Sequence, residues 1–193
     1  MAEILTIAVI GAGALGRGIA FASAMGGYRT ILEDILPSSL RTAAAEMRDH
    51  LAKAAELGAV SKPEAEIAFS RLEYASTVEQ AAREADLVIE SVPEEMESKI
   101  EIFTLLDKIC KPTTILASNT RSLSVTEIAS VTYRAKKILG MRFTHPVHQM
   151  KRLELMRALE TDDETIAAGT EVGRRMGKEV VVVNDGLNND RLK

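Results

Sequence analysis

Short apolar runs alternate along this chain with longer segments in which apolar residues recur every three or four positions. The first pattern predicts buried strands and the second predicts helices. Strands are predicted at 4–10, 28–34, 71–75, 86–92, 113–117, 136–143, 152–158 and 178–183. Helices are predicted from the glycine cluster to about 25, from a cap at Ser38 or Ser39 to Gly58, after Pro63, and at 78–84, 94–109, 125–130 and 164–176.

This alternation is typical of an α/β protein with a parallel sheet between two helical layers. We therefore expect a Rossmann-like, doubly wound, mostly parallel sheet. The 193 residues and 46% apolar content suffice for one well-cored domain and would be cramped for two. The apolar run at 4–10 is too short to span a membrane and leads into glycines, so it predicts a buried strand and no signal peptide.

Charge and cysteine usage narrow the class of protein. The 28 acidic and 24 basic residues are spread along the chain and give a net charge of -4, which argues against nucleic acid as a partner. The single cysteine, Cys110, excludes an internal disulfide and has no histidine or cysteine close to it in sequence, so no metal site is predicted. We expect a cytoplasmic protein that acts on a small molecule and has no membrane partner.

The segment GAGALG, Gly11 to Gly16, matches the dinucleotide-binding pattern G-x-G-x-x-G directly after a predicted strand. Gly11 permits the tight turn, Gly13 lets the backbone approach a pyrophosphate, and Gly16 lets helix and strand pack closely. The amides that open the helix favour the phosphates. Glycines in such a turn also occur for packing alone, so the motif needs a second element.

That second element is the acidic pair Glu33 and Asp34 at the end of the second predicted strand. An acid about 20 residues after the glycines receives the adenosine ribose hydroxyls, and it repels a 2'-phosphate. NAD is therefore predicted in preference to NADP. In the simpler alternative the two acids are ordinary turn residues before Pro37.

Four segments resemble the L-3-hydroxyacyl-CoA dehydrogenase family. GAGALGRGIA is similar to that family's G-x-G-x-M-G-x-G-I-A, with Leu15 in place of methionine. VIESVPEEMESK is similar to its V-E-A-x-x-E segment, and ASNTRSL to A-S-N-T-S-S-L. GMRFTHPVHQMKRLEL is similar to G-L-H-F-F-N-P-V-P-x-M-K-L-V-E-V. The motifs occur in the family's order.

The resemblance implies hydride transfer between carbon 3 of an acyl-CoA and the nicotinamide of NAD, in fatty-acid metabolism. It also implies a homodimer. The cofactor-binding residues that it implies are Gly11, Gly13, Ala14, Leu15, Gly16, Asp34, Glu94, Lys99 and Asn119. Residues 1–184 are expected to be the NAD-binding domain.

Residues 185–193 resemble the start of the segment that leads to the family's helical C-terminal domain, which we expect to be absent here. Asp185 and Asp190 replace a proline and a catalytic asparagine of that segment, whereas Gly186 and Arg191 match it.

The catalytic positions implied by the resemblance are partly substituted. Glu154 matches the carboxylate that orients the family's catalytic histidine, but Arg142 stands at the position of the histidine and Arg121 at that of a serine. Asn119 is retained. An arginine stays protonated and has no acceptor lone pair, so it cannot act as a base. Arg142 could polarise a carbonyl, bind a carboxylate, or form an ion pair with Glu154.

His145 and His148 are the candidates to replace the missing base, and His145 is the one that we select. In an extended segment the side chain of His145 points away from that of Arg142, whereas His148 shares its face but lies too far along. In the simpler alternative both are loop histidines beside Pro146. His50 is expected to be a surface residue of a helix.

Three functions stay open. The first is an NAD-dependent 3-hydroxyacyl-CoA dehydrogenase with Glu154 retained and the proton carried by a relocated histidine or by water. The second is an NAD-binding module with a degenerate active site. The third is a dehydrogenase for another hydroxy acid, whose carboxylate Arg121 and Arg142 would bind.

Overall fold

The computed structural model describes residues 3–58 and 60–186, and this part of the chain forms one eight-stranded sheet with helices on both faces. The strands are β1 Thr6–Ile10, β2 Arg29–Glu33, β3 Leu72–Ala75, β4 Leu87–Glu90, β5 Ile115–Ser118, β6 Ile138–Arg142, β7 Arg152–Arg157 and β8 Glu179–Asn184. The helices are α1 Ala14–Met25, α2 Pro37–Glu56, α3 Lys62–Ser70, α4 Val78–Ala82, α5 Met96–Ile109, α6 Val125–Ser130 and α7 Asp163–Arg175, with a 3-10 turn at Ala135–Lys137.

The strand order is β3-β2-β1-β4-β5-β6-β7-β8. Strands β1 to β6 are mutually parallel, β7 is antiparallel to β6, and β8 is parallel to β7. The predicted doubly wound, mostly parallel α/β fold is therefore confirmed. The chain reverses its direction of winding between β1 and β4, and ligands of such sheets bind at the carboxyl ends of the strands beside that switch point.

Strand β1 is the centre of the core and is buried along its whole length. Ile7 and Val9 face a cluster that contains residues of α1, α2 and α7, whereas Ala8 and Ile10 face a cluster that contains residues of α4, α5 and α6. Side chains alternate between the two faces of a strand, and both faces are covered here. This explains why the strand is a continuous apolar run instead of an alternating one.

The predicted start of α2 is wrong. The helix begins at Pro37, and its N-cap residue, Leu36, makes no side-chain capping bond. Proline suits this first helical position because its missing N–H has no partner within the helix there. Ser38 and Ser39 therefore lie inside the first turn. The predicted stop is confirmed, since Gly58 follows the C-cap residue with a φ of 72°.

Two further boundaries differ from prediction and affect the site. Helix α5 begins at Met96, so Glu94 precedes it. Strand β6 ends at Arg142, and the chain then turns, because the amides of Gln149 and Met150 both donate to the carbonyl of Pro146. Residues 143–150 therefore form a loop, which confirms the alternative in which His145 and His148 are loop histidines beside Pro146, and the extended geometry considered for residues 142–148 does not occur. Among the helices described, none has the length and apolar character needed to cross a membrane.

Candidate functional site

The turn between β1 and α1 contains the three glycines of the motif, and they differ in what surrounds them. Gly11 has a φ of 99°, and a Cβ there would lie 2.7 Å from the carbonyl oxygen of Ser91. A Cβ on Gly16 would lie 1.8 Å from the carbonyl oxygen of Gly11. A Cβ on Gly13 would meet nothing within 4 Å. Gly11 and Gly16 are therefore required by packing, whereas Gly13 borders open space.

That open space belongs to a cleft of about 780 Å³ at the carboxyl ends of the strands. Most of the predicted site residues line it: Gly11, Gly13, Ala14, Leu15, Asp34, Glu94, Asn119 and His145. Gly16, Lys99, Arg142 and Glu154 are not part of its wall. The cleft is of the size and mixed lining typical of small-molecule sites.

Asp34 lies directly after β2, and its hydrogen bonds connect the turn between β1 and α1 with the start of α2 at the mouth of the cleft. Its Oδ2 accepts a hydrogen bond of 2.9 Å from the amide of Ala12, and its Oδ1 accepts one of 2.8 Å from the amide of Leu36. An ionised carboxylate has about four acceptor positions, so capacity for a ligand hydroxyl is left. The carboxylate is thus held beside the glycine turn, as a ribose-binding acid requires.

Glu33, the last residue of β2, is in a different environment from its neighbour. It lines the same cleft but is only 3% exposed, and its Oε1 has no hydrogen-bond partner among the described residues. Burial, followed by repulsion from Asp34, raises the pKa of the Glu33 carboxyl to about 7, against the smaller, lowering effect of the Gly11 amide. The burial of this carboxyl was not predicted, although the sequence places Glu33 at the end of an apolar strand.

Glu94 organises the loop that follows β5. Its Oε1 accepts hydrogen bonds from the Thr120 hydroxyl at 2.7 Å and from the amides of Arg121 and Ser122 at 2.8 and 3.0 Å. Burial alone would raise the pKa of Glu94, but these donors and Lys99 outweigh it and hold the pKa below its ordinary value. Glu94 therefore presents a fixed, charged carboxylate to the wall of the cleft.

Lys99 is fully buried and pairs with Glu90, which was not among the predicted site residues. Its Nζ lies 2.7 Å from Oε1 and 3.0 Å from Oε2 of Glu90, and Ser118 donates to the same carboxylate at 2.7 Å. Glu94 is a second, more distant partner, at 3.7 Å. The ammonium thus joins α5 to β4 and β5 beneath the cleft. The sequence did contain a signal for the role of Glu90, because a charged residue ends the otherwise apolar strand LVIE.

Asn119 connects three strand ends at the floor of the cleft. Its Oδ1 accepts a 3.1 Å hydrogen bond from the amide of Phe143, and its Nδ2 donates to Ser91 Oγ at 3.4 Å. Ser91 also lines the cleft and was not among the predicted site residues. The asparagine is 7% exposed, so its amide is oriented by these contacts before any ligand arrives.

Arg142 and Glu154 face each other across the antiparallel pair β6 and β7. Arg142 Nη1 lies 3.0 Å from Glu154 Oε2, and Arg152 Nη2 lies 2.7 Å from Glu154 Oε1. Arg142 also donates through Nε to the carbonyl of Thr120 at 3.3 Å. The sequence left three roles open for Arg142, and the structure shows one of them, the ion pair with Glu154.

A second cavity, of about 290 Å³, lies on this side of the molecule and is lined by Arg142. Arg121 lines both this cavity and the main cleft. Asp185 also lines the second cavity, where its Oδ2 accepts from Ser124 Oγ at 2.8 Å and from the amide of Thr126 at 2.7 Å. The predicted positions Asp190 and Arg191 lie outside the described residues.

His145 is exposed and lines the main cleft, next to a smaller cavity of about 80 Å³. All three histidines of the chain, His50, His145 and His148, line that smaller cavity. The rings of His50 and His148 have centroids 5.4 Å apart. Partial burial and then the nearby charge of His50 lower the pKa of His148. Of the two candidate bases, only His145 therefore lies on the wall of the main cleft.

A dinucleotide fits the residues that line the main cleft. Gly13 leaves room for a backbone approach to phosphates, the amides that open α1 are available for them, and Asp34 lies beside the glycine turn, where a ribose-binding acid is expected. Within the described residues, no group of three or more histidine, cysteine or acidic side chains is arranged to hold a metal ion. Fold and site together define a Rossmann-type dinucleotide-binding domain.

Comparison with known proteins identifies the family. The family model described as 3-hydroxyacyl-CoA dehydrogenase, NAD binding domain, matches residues 6–186. The chain belongs to this family, and the cofactor of the matched domain is NAD. The resemblance read from the four sequence segments is thereby confirmed.

Curated relatives and solved structures agree with this assignment. The chain is 42% identical to a probable 3-hydroxybutyryl-CoA dehydrogenase of Bacillus subtilis, over 95% of this chain and 63% of the relative. It is 36% identical to a 3-hydroxybutyryl-CoA dehydrogenase of Bradyrhizobium diazoefficiens, over 95% of this chain and 62% of the relative.

Among solved structures, the Escherichia coli 3-hydroxybutyryl-CoA dehydrogenase is similar with a TM-score of 0.92 and 31% identity, over 95% of this chain and 39% of that one. The chain thus spans less than two thirds of the length of these relatives.

Proposed function

We propose that this chain binds NAD in the main cleft and takes part in the reversible oxidation of 3-hydroxyacyl-CoA. The observation that carries the proposal is the glycine turn with Asp34 at the switch point of the sheet, in a chain that matches the family's NAD-binding domain over residues 6–186. The names of the curated relatives support a short acyl-CoA as the substrate. The lone, buried Cys110 supports the cytoplasmic setting proposed here.

In the bound complex, Gly13 and the first amides of α1 would hold the diphosphate, and Asp34 would hold the adenosine ribose. Glu94 and Asn119, at the opposite end of the cleft wall, are the proposed contacts on the nicotinamide side. Lys99 would act on this site through Glu90 and Glu94, since its own ammonium is buried in their ion pairs. NAD supplies the group that accepts or returns a hydride.

Oxidation of a 3-hydroxyl group releases a hydride from carbon 3 to the nicotinamide and a proton from the oxygen, so a proton acceptor is needed. Arg142 has no lone pair for this role and is paired with Glu154. A neutral imidazole can accept the proton and can return it in the reverse reaction. We therefore assign proton exchange to His145, which lines the cleft.

The first experiment is a fluorescence titration of the purified chain with NADH, followed by addition of acetoacetyl-CoA to the same sample. We expect saturable NADH binding and then loss of NADH absorbance as the 3-keto group is reduced. If NADH binds but no turnover occurs at high protein concentration, the dehydrogenase assignment fails for this chain. If NADH does not bind, the cofactor assignment fails as well.

A matched pair of variants tests the role of His145. His145→Asn should lower kcat by about 100-fold or more, in the range expected for loss of a general acid or base, while the Kd for NADH stays within about two-fold. His50→Asn is the control, because His50 lines only the smaller cavity. Equal kcat values for the two variants would rule out His145 as the proton carrier.

A second function is favoured by the ion pair of Arg142 with Glu154, namely an NAD-binding module without turnover. In that case the chain binds NADH, and Arg142→His places an imidazole next to the retained carboxylate. Reduction of acetoacetyl-CoA that appears only in Arg142→His would support the module. Turnover in the unaltered chain that depends on His145 would exclude it.

A further inference from the structure

The side chain of Glu33 contains a buried oxygen atom that has no hydrogen-bond partner among the described residues. The residue is 3% exposed, and its Oε1 is buried without a hydrogen bond. Burying a carboxyl oxygen in this way costs free energy, and the large majority of buried polar atoms in folded proteins are paired. Both oxygens of Asp34 accept an amide hydrogen and still have acceptor positions left, whereas the Oε1 of Glu33 uses none of its acceptor capacity among the described residues.

The surroundings of Glu33 indicate which ligand group would use that capacity. Glu33 lines the main cleft beside Asp34, and the apolar side chains of Ile10, Ile35 and Val78 line the same cleft. An apolar wall with a few placed polar groups suits a flat heterocyclic base. Asp34 is the acid proposed to receive the adenosine ribose, and Glu33 lies next to it on the wall of the same cleft, near that half of the dinucleotide.

We propose that Glu33 is a second specificity residue, whose Oε1 accepts a hydrogen bond from a donor on the adenosine half of NAD. The donor is either the 6-amino group of adenine or the 2'-hydroxyl of the adenosine ribose. This inference rests on the proposed binding of NAD in the main cleft and adds to it a residue beyond Asp34.

The proposal makes NAD affinity depend on pH. Burial and the charge of Asp34 raise the pKa of Glu33 to about 7, so the carboxyl titrates in the neutral range. The ionised form accepts hydrogen bonds more strongly, and a ligand that binds it more tightly gains affinity as the pH rises through 7. The other charged groups on the wall are Glu94, Arg121 and His145, so a pH effect must be assigned with a variant.

The experiment compares the unaltered chain with Glu33→Leu, which removes the acceptor, and Glu33→Gln, which keeps an acceptor oxygen but cannot ionise. Kd values are measured for NADH at pH 6 and pH 8. We expect Glu33→Leu to weaken NADH binding about ten-fold at pH 8, the usual size for one hydrogen bond to a charged group. Glu33→Gln should abolish most of the gain in affinity between pH 6 and pH 8.

Two cofactor analogues distinguish the donors. Reduced nicotinamide hypoxanthine dinucleotide lacks the 6-amino group, and 2'-deoxy-NADH lacks one ribose hydroxyl. The unaltered chain should discriminate against one of the two, and Glu33→Leu should lose that discrimination. Thermal melts of the three proteins establish that each is folded before binding is compared.

Each outcome decides between the two proposals. If the unaltered chain does not bind NADH, the cofactor site itself is wrong. If it binds NADH but Glu33→Leu binds it equally well and with the same analogue preferences, Glu33 has no part in recognition. An affinity that falls with rising pH in the unaltered chain, and not in Glu33→Gln, would mean that Glu33 donates a proton instead of accepting one, and would overturn the proposal.

Discussion

At the scale of single residues, the site is governed by what each charged group already contacts. Asp34 and Glu33 are adjacent in sequence, yet Asp34 accepts two amide hydrogens and Glu33 leaves a buried oxygen without a partner. Arg142 and Glu154 likewise neutralise each other outside the main cleft. Residue type alone therefore does not tell which charges are available to a ligand.

The pKa of Glu33 makes a prediction about stability. The folded-state pKa of about 7 lies above the ordinary value of 4.5, so the folded state binds the proton more tightly than the unfolded state. Ionisation of Glu33 therefore destabilises the folded state. This free-energy cost is absent below pH 4.5, grows as the pH rises from 4.5 to 7, and reaches about 3 kcal/mol above pH 7. Glu33→Gln should therefore gain stability relative to the unaltered chain over this interval, as measured by urea unfolding. A constant difference between the two proteins from pH 4.5 to 8 would contradict the raised pKa.

At the scale of elements, the turn between β1 and α1 contains one glycine that packing requires, Gly16, and one that we expect to serve cofactor binding, Gly13. Gly16 is confined by the Gly11 carbonyl, whereas Gly13 has a φ of -64° and borders open space. Gly16→Ala should lower the free energy of unfolding by about 1–3 kcal/mol or more, because backbone must move to admit the methyl group. Gly13→Val should change stability by only about 0.5 kcal/mol but weaken NADH binding at least about ten-fold. Chemical denaturation and NADH titration of both variants check this contrast, which equal behaviour would refute.

The buried pair between α5 and β4 gives a second prediction at this scale. Lys99→Met removes the cation from the buried Glu90 carboxyl, whose pKa burial already raises, and should cost about 3–5 kcal/mol of folding free energy. Adding Glu90→Gln removes the charge and keeps an oxygen for the amide of Val92, so the double variant should recover much of that loss. Urea unfolding of the single and double variants measures the coupling. A cost below about 1 kcal/mol for Lys99→Met would show that the pair does not hold these elements together.

Most of the helices and strands and the cofactor-binding turn could be predicted from the sequence, because apolar runs and glycine spacing are local patterns. The strand at Leu72–Ala75 and the helix at Val125–Ser130 were both predicted where they occur. What sequence could not supply was the partner of each charge, since partners such as Glu90 for Lys99 lie on different elements. The end of the strand near residue 143 and a loop beside Pro146 were expected from the sequence, but the backbone hydrogen bonds that close the turn were not.

At the scale of the whole molecule, the cofactor should stabilise the fold and show which dinucleotide is preferred. A ligand present at 100 times its Kd adds about 2.7 kcal/mol to the stability of the folded state. For a chain of this size that corresponds to a rise in Tm of about 5–10 °C. We expect this rise with NADH and little or none with NADPH, because the carboxylates that end β2 repel a 2'-phosphate. Thermal melts with each cofactor at equal concentration test it, and equal shifts would remove the basis for NAD preference.

The reversal of direction between β6 and β7 has a consequence for anyone who redesigns this domain. Arg142 and Glu154 occupy the same rung of the antiparallel ladder, and Arg152 holds the other oxygen of that carboxylate. A library that randomises position 142 alone would therefore sample side chains against a glutamate still tethered by Arg152. Positions 142, 152 and 154 form one unit for mutagenesis, and any attempt to install a proton relay in this domain should vary the three codons together.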